Sequence, residues 1–167
     1  MTFRVSSPIL GVAANLNEVE TTAQFPLGTI IEATSATWGA GEFIYLKGVA
    51  STVAGSIVNY RGNTWQTALG YAGENVPAPL AIAMGACVAD RFGWYQISGI
   101  ATAAKACTVS FAAAAKVAVG SSSGLAVASL SGQEIMGAYV SAVASATAGR
   151  VTVALVINRP HNQGRVS

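Results

Sequence analysis

Short runs of β-branched and aromatic residues, bounded by Gly, Asn, Ser or Pro, follow one another from Gly28 almost to the end of the chain. Side chains of that shape pack well on a pleated, half-buried surface, and the bounding residues favour turns, so the runs predict β-strands. They fall at 29–33, 42–47, 56–60 and 64–68, with Arg61-Gly62-Asn63 as a tight turn that makes the last two a hairpin. A loop rich in breakers follows over 70–79, closed by Pro77 and Pro79. Further strands are predicted at 80–89, 93–98, 107–111, 116–119, 125–129, 135–143 and 150–157. Two are clearest. Trp94-Tyr95-Gln96-Ile97 alternates around Gln96. Val151-Thr152-Val153-Ala154-Leu155-Val156-Ile157 is almost continuously apolar, as a central strand buried on both faces would be.

Helical signal is thin. Ala112-Ala113-Ala114-Ala115 has the propensity for a turn of helix but is too short to overcome nucleation, so it reads as loop or strand edge. About ten short strands, with turn signals about every 8–12 residues, predict an all-β fold: a single β-barrel or β-sandwich. The small-residue stretch from 101 to 148 fits tightly curved strands with Gly at the bends, and no exact internal repeat is visible.

Residues 1–27 break the pattern. Phe3, Val5, Ile9, Leu10, Val12, Leu16, Val19, Phe25 and Leu27 stand apart among Ser, Thr, Asn and Pro, with no sustained period. Two readings are open: a disordered terminus or first edge strand, or an extended arm that docks on a neighbour and orders on assembly. Fully extended, such an arm would reach about 90 Å. The predicted organisation is an N-terminal extended arm over 1–27, one β-domain over 28–160 and a C-terminal tail over 161–167.

Composition sharpens this picture. The 167 residues suffice for one domain with a real core. Hydrophobic residues make up 52% and charged residues only 10%, against roughly 25% charged in an average soluble domain. Either the surface is polar without being charged, or other subunits cover much of it. The net charge of +2 is spread along the chain without a Lys/Arg run, so there is no electrostatic footprint for nucleic acid. Cys87 and Cys107 are the only cysteines and lie in apolar surroundings. They read as buried free thiols of a reducing cytoplasm, although spacing alone also permits a disulfide. No membrane-spanning helix is predicted, because the uncharged stretch 117–133 is broken by Ser121, Ser122, Ser123 and Gly124. Arg4 followed by Pro8-Ile9-Leu10-Gly11-Val12 faintly imitates a signal peptide but reads as mature sequence.

Chemistry is scarce. His161 is the only histidine and Asp90 the only aspartate, the first in the tail and the second a turn residue balanced by Arg91. A Ser-His-Asp set could be assembled from them only arbitrarily, since no nucleophile elbow is present. Glu18, Glu20, Glu32, Glu42, Glu74 and Glu134 form no catalytic pair in sequence, and no phosphate loop or metal-ligand cluster occurs. No catalytic, cofactor or metal residues are therefore assigned, and an enzyme is not expected. Trp38, Phe43, Tyr45, Tyr60, Trp65, Tyr71, Phe92, Trp94 and Tyr95 read as large anchors of an Ala/Val core. The competing reading is a ligand pocket or carbohydrate-binding face.

Several phrases resemble small virion proteins of tailed phages. They are Phe25-Pro26-Leu27-Gly28-Thr29-Ile30-Ile31 and Gly41-Glu42-Phe43-Ile44-Tyr45-Leu46-Lys47-Gly48-Val49-Ala50. Similar wording recurs in Ala81-Ile82-Ala83-Met84-Gly85-Ala86-Cys87-Val88-Ala89, Phe92-Gly93-Trp94-Tyr95-Gln96-Ile97-Ser98-Gly99 and the ending Val156-Ile157-Asn158-Arg159-Pro160. The resemblance implies a capsid decoration (cement) protein, made in the host cytoplasm, whose β-barrel-like body joins major capsid subunits on the head exterior. It also implies a homo-oligomer, dimer or trimer, with neither nucleic acid nor membrane as partner. Phe3, Ile9, Leu10, Leu16 and Phe25 become the interface candidates. The alternatives are another virion part, such as a tail or head-fibre base, and a carbohydrate- or ligand-binding β module.

Overall fold

β-Branched and aromatic runs broken by turn residues produce strands and no helix among the described residues. The computed structural model describes residues 4–5, 15–70, 77–105, 110–120, 124–129, 133–145 and 151–163. Twelve strands belong to one hydrogen-bonded sheet, almost entirely antiparallel. In chain order they are β1 (Arg4–Val5), β2 (Val19–Glu20), β3 (Ile30–Ser35), β4 (Gly39–Lys47), β5 (Ile57–Tyr60) and β6 (Thr67–Leu69). Then come β7 (Leu80–Ala83), β8 (Phe92–Lys105), β9 (Val117–Val119), β10 (Ala126–Ala128), β11 (Ile135–Val140) and β12 (Val151–Asn162).

Strand β8 is the axis. Its first half lies between β4 and β7, with Gln96 in register with Phe43 on one side and Ile82 on the other. Its second half pairs with β12 from Ser98↔Asn158 to Lys105↔Val151. Gly99 sits at the changeover with φ of 98°, and a Cβ there would lie 2.4 Å from the Ala40 carbonyl oxygen. Only glycine takes that backbone at that distance. Gln96 is buried beside the bend, and its Nε2 donates to the carbonyls of Ser98 at 3.0 Å and Ile100 at 3.1 Å. One side chain thus supplies donors that a bent strand cannot take from its neighbour. The sequence pattern placed a strand end at Ser98; the strand instead continues through the glycine to Lys105.

Two bridges tie the branches back. Lys47 pairs with Gln66, where the Lys47 N–H donates to Trp65 O at 3.0 Å, so β6 returns to β4. Lys116 pairs with Tyr139, and β10 lies parallel to β8 at Ala126↔Lys105, linking β9 and β10 to both β11 and β8.

Three apolar clusters follow from the alternation along these strands. Phe43 and Tyr45 of β4 join Ile31, Met84 and Trp94, while Ile44 and Leu46 face the other way towards Val58, Ala81, Cys87, Tyr95 and Ile97. Ile57, Leu80 and Ile82 then face Ala101, Ala103, Val153, Leu155 and Ile157. Strands β4, β5 and β7 are covered on both faces, which explains their near-continuous apolar sequence.

The segment 15–27 belongs to this body. Val19 and Glu20 pair with Gly93 and Phe92, Leu16 is 2% exposed inside the first cluster, and Phe25 and Leu27 pack against that cluster. Phe25, Tyr45 and Trp94 form an aromatic trio with centroids 5.0–5.5 Å apart. Arg4 and Val5 pair with Thr34 and Ala33 of the chain's own β3. At the other end β12 runs past Ile157, so His161 and Asn162 of the predicted tail are strand residues. The run 80–89 is a strand only over Leu80–Ala83, and of 107–111 only Phe111 is described in a bridge, to Ala144.

Candidate docking face

The residues that could carry chemistry are dispersed. Among the described residues no three of His, Cys, Asp and Glu come together to hold a metal ion. Asp90 sits in a turn with φ of 57° and pairs with Lys47 Nζ at 3.1 Å rather than with its neighbour Arg91. His161 lies exposed on β12, in register with Met136. Cys87 is a free, buried thiol, and burial pushes its pKa up; Cys107 lies outside the described residues. The Tyr95 hydroxyl is buried beside Cys87 and Thr67, and burial, reinforced by Cys87, raises its pKa as well. Phe43, Tyr45, Trp94 and Tyr95 are buried anchors, while Trp38, Tyr60, Trp65 and Phe92 are half-buried.

Of the five interface candidates, Leu16 and Phe25 are engaged in the chain's own aromatic cluster. Phe3, Ile9 and Leu10 lie outside the described residues. The isolated apolar residues at 16, 25 and 27 are anchors of an irregular cover, and such a cover has no period to betray where it packs.

A different surface combines apolar chemistry with exposure. Along β12, Val153, Leu155 and Ile157 enter the core, whereas Thr152, Ala154 and Val156 face outward. Register places Tyr139, Val156 and Ile100 in one row across β11, β12 and β8, with Ala154 and Thr102 paired beside it. Tyr139 is 48% exposed and Met136, on the same strand, 41%. A groove of about 560 Å³ between Trp38, Met84 and Gly85 shares Thr102 and Thr152 with this face. Two ion pairs flank it among the described residues. Lys116, bridged to Tyr139, holds Glu134 at 2.8 Å, and Arg159 holds Glu42 at 2.9 Å through two hydrogen bonds.

The continuous apolar run of β12 predicts cover on both faces, yet among the described residues its outer face is left half-exposed. That mismatch was readable only in part, because the run marks which side chains avoid water and not what shields them. Met136, Tyr139 and Ile100 carry no sequence signal of their own. No protein-family model matches the chain, and no curated protein matches it.

Proposed function

We propose that the protein is a structural component of a tailed-phage virion, a decoration (cement) protein that docks on the head exterior and joins major capsid subunits. The single supporting observation is the apolar row Tyr139–Val156–Ile100 across β11, β12 and β8, in which Tyr139 is exposed and Val156 and Ile100 are only half-buried. In this proposal the ring β4–β8–β7–β5–β6, joined back to β4 through Lys47–Gln66, is a small barrel that shares β8 with a second ring. A rigid body of that kind presents the face with little ordering cost on binding. Each large side chain buried there contributes about 1.5–3 kcal/mol before ordering costs. Several such contacts on one homo-oligomer add through effective concentration on the repeating shell.

The test is co-sedimentation and imaging of purified protein with emptied heads, using wild type, Tyr139→Asp and a form lacking residues 1–14. Wild type should decorate the shell, Tyr139→Asp should stay folded yet remain in the supernatant, and the truncation measures what the N-terminal segment adds. Equal decoration by Tyr139→Asp, or no association of wild type with heads, overturns the proposal. Label confined to the tail or to fibre bases would assign the other virion position.

A further inference from the structure

His161, the chain's single histidine, and Met136, one of its three methionines, stand directly opposite each other where β12 pairs with β11. Directly opposed residues of an antiparallel pair put their side chains on the same face, with Cβ atoms about 4.5–5.5 Å apart. Burial agrees with that placement. Ile135 and Asn162, the adjoining pair, are 5% and 8% exposed and take the inner face, while Met136 at 41% and His161 both face water.

The backbone beneath the pair is held on both edges. On one side the Gln163 N–H donates to Glu134 O at 3.1 Å. On the other the Asn162 N–H donates to Ala78 O at 3.0 Å, and Pro79 is bridged to His161. Both side chains therefore start from fixed points, which lowers the ordering cost of bringing them onto one ligand. Lys116 and Arg159 are already engaged, by Glu134 at 2.8 Å and Glu42 at 2.9 Å, so their repulsion of a bound cation is reduced.

We propose that Met136 and His161 bind a soft monovalent cation, copper(I), between the thioether sulfur and an imidazole nitrogen. A thioether selects soft ions over hard ones, and imidazole suits copper as well. In-line binding needs the two donor atoms about 4.3 Å apart, taking bonds of about 2.0 Å to nitrogen and about 2.3 Å to sulfur. Directly opposed side chains reach that separation by rotation about their own bonds. Zinc takes about four ligands and calcium about six to eight oxygens, so a thioether–imidazole pair passes both over.

The probe is silver(I), a redox-inert stand-in for copper(I), titrated as the nitrate in chloride-free buffer. The full chain carries Cys107→Ala to remove a competing thiol, and methionine methyl and imidazole resonances are followed by NMR. The Met136 methyl and the His161 ring should shift together and saturate at one equivalent, while the methyl of Met84, 8% exposed, stays in place. Zinc should move neither. Met136→Leu and His161→Ala, both exposed changes, should keep the urea midpoint and each weaken silver binding about tenfold or more. Tyr139→Asp should bind silver like the parent, which separates the pair from the docking face. Silver taken up at Cys87 or Met84 with Met136 and His161 unmoved, unchanged affinity in either variant, or zinc bound at the pair as tightly as silver overturns the proposal.

Discussion

The Tyr45 hydroxyl donates to the Glu20 carboxylate and accepts the Gln24 N–H at 3.2 Å, fastening the irregular segment 15–27 to the middle of β4. Tyr45 is also the centre of the aromatic trio with Phe25 and Trp94, so one residue combines apolar burial with a charge-assisted hydrogen bond. The segment is therefore integral to the body through both kinds of contact.

Tyr45→Phe keeps the ring and removes only the hydroxyl, leaving Glu20 and the Gln24 N–H without that partner. Hydrogen bonds to charged groups contribute about 1.5–3 kcal/mol, so a loss of about 2 kcal/mol is expected in urea unfolding. Amide exchange should quicken over 15–25 ahead of the β8 amides. A loss below about 0.5 kcal/mol would mean that the segment is held by its apolar contacts alone.

Alkaline pH should act through the same residue and through Tyr95. Burial first, and then the Glu20 hydrogen bond, raise the Tyr45 pKa in the fold; burial first, and then Cys87, raise that of Tyr95. Both stay protonated in the native state after the unfolded chain begins to ionise near pH 10. Their contribution is therefore complete below about pH 10 and declines as pH rises towards the folded values. Each held proton lowers stability by about 1.4 kcal/mol per pH unit in that window. Urea midpoints measured between pH 8 and about 11.5 should fall above 10, and Tyr95→Phe should make the fall shallower.

Gly99 and Gly39 share a positive φ, 98° and 73°, but differ in their surroundings. A Cβ on Gly39 meets nothing within 4 Å, whereas one on Gly99 meets the Ala40 carbonyl at 2.4 Å. Gly39→Ala should cost about 1 kcal/mol for the backbone alone. Gly99→Ala adds a backbone collision at the bend and should cost about 3 kcal/mol or more. Equal effects on the thermal midpoint would show that the bend relaxes freely.

Strand identity was legible because β-branched runs and turn residues act locally: Ile57–Tyr60 and its hairpin follow the turn signal at Arg61-Gly62-Asn63, although the connection is longer than the expected tight turn and β6 begins only at Thr67. What the residues around Gly99 did not disclose is a distant event. A glycine between Ser98 and Ile100 reads as a stop, and only the approach of Ala40 and the donors of Gln96 turn it into a bend. Leu16 and Phe25 were legible only as isolated apolar residues, expected at an interface, and nothing local pointed to Tyr45 and Trp94, far away in sequence, against which they cluster.

Neighbouring residues of β12 should respond in opposite ways, because the strand has one covered face and one half-exposed face. Leu155 is 1% exposed among Ile57, Leu80 and Val153, so Leu155→Ala leaves a cavity and should cost about 2–5 kcal/mol. Val156→Thr preserves shape and β-branching, and its hydroxyl reaches water on the half-exposed side, so the isolated protein should lose less than about 1 kcal/mol. Once a partner covers the row, that hydroxyl is buried without an acceptor, at a penalty of about 1–3 kcal/mol. The variant should then bind emptied heads about tenfold more weakly while unfolding like wild type in urea. If it unfolds as readily as a cavity mutant, the chain covers this face by itself, and the apolar run along β12 needs no partner to explain it.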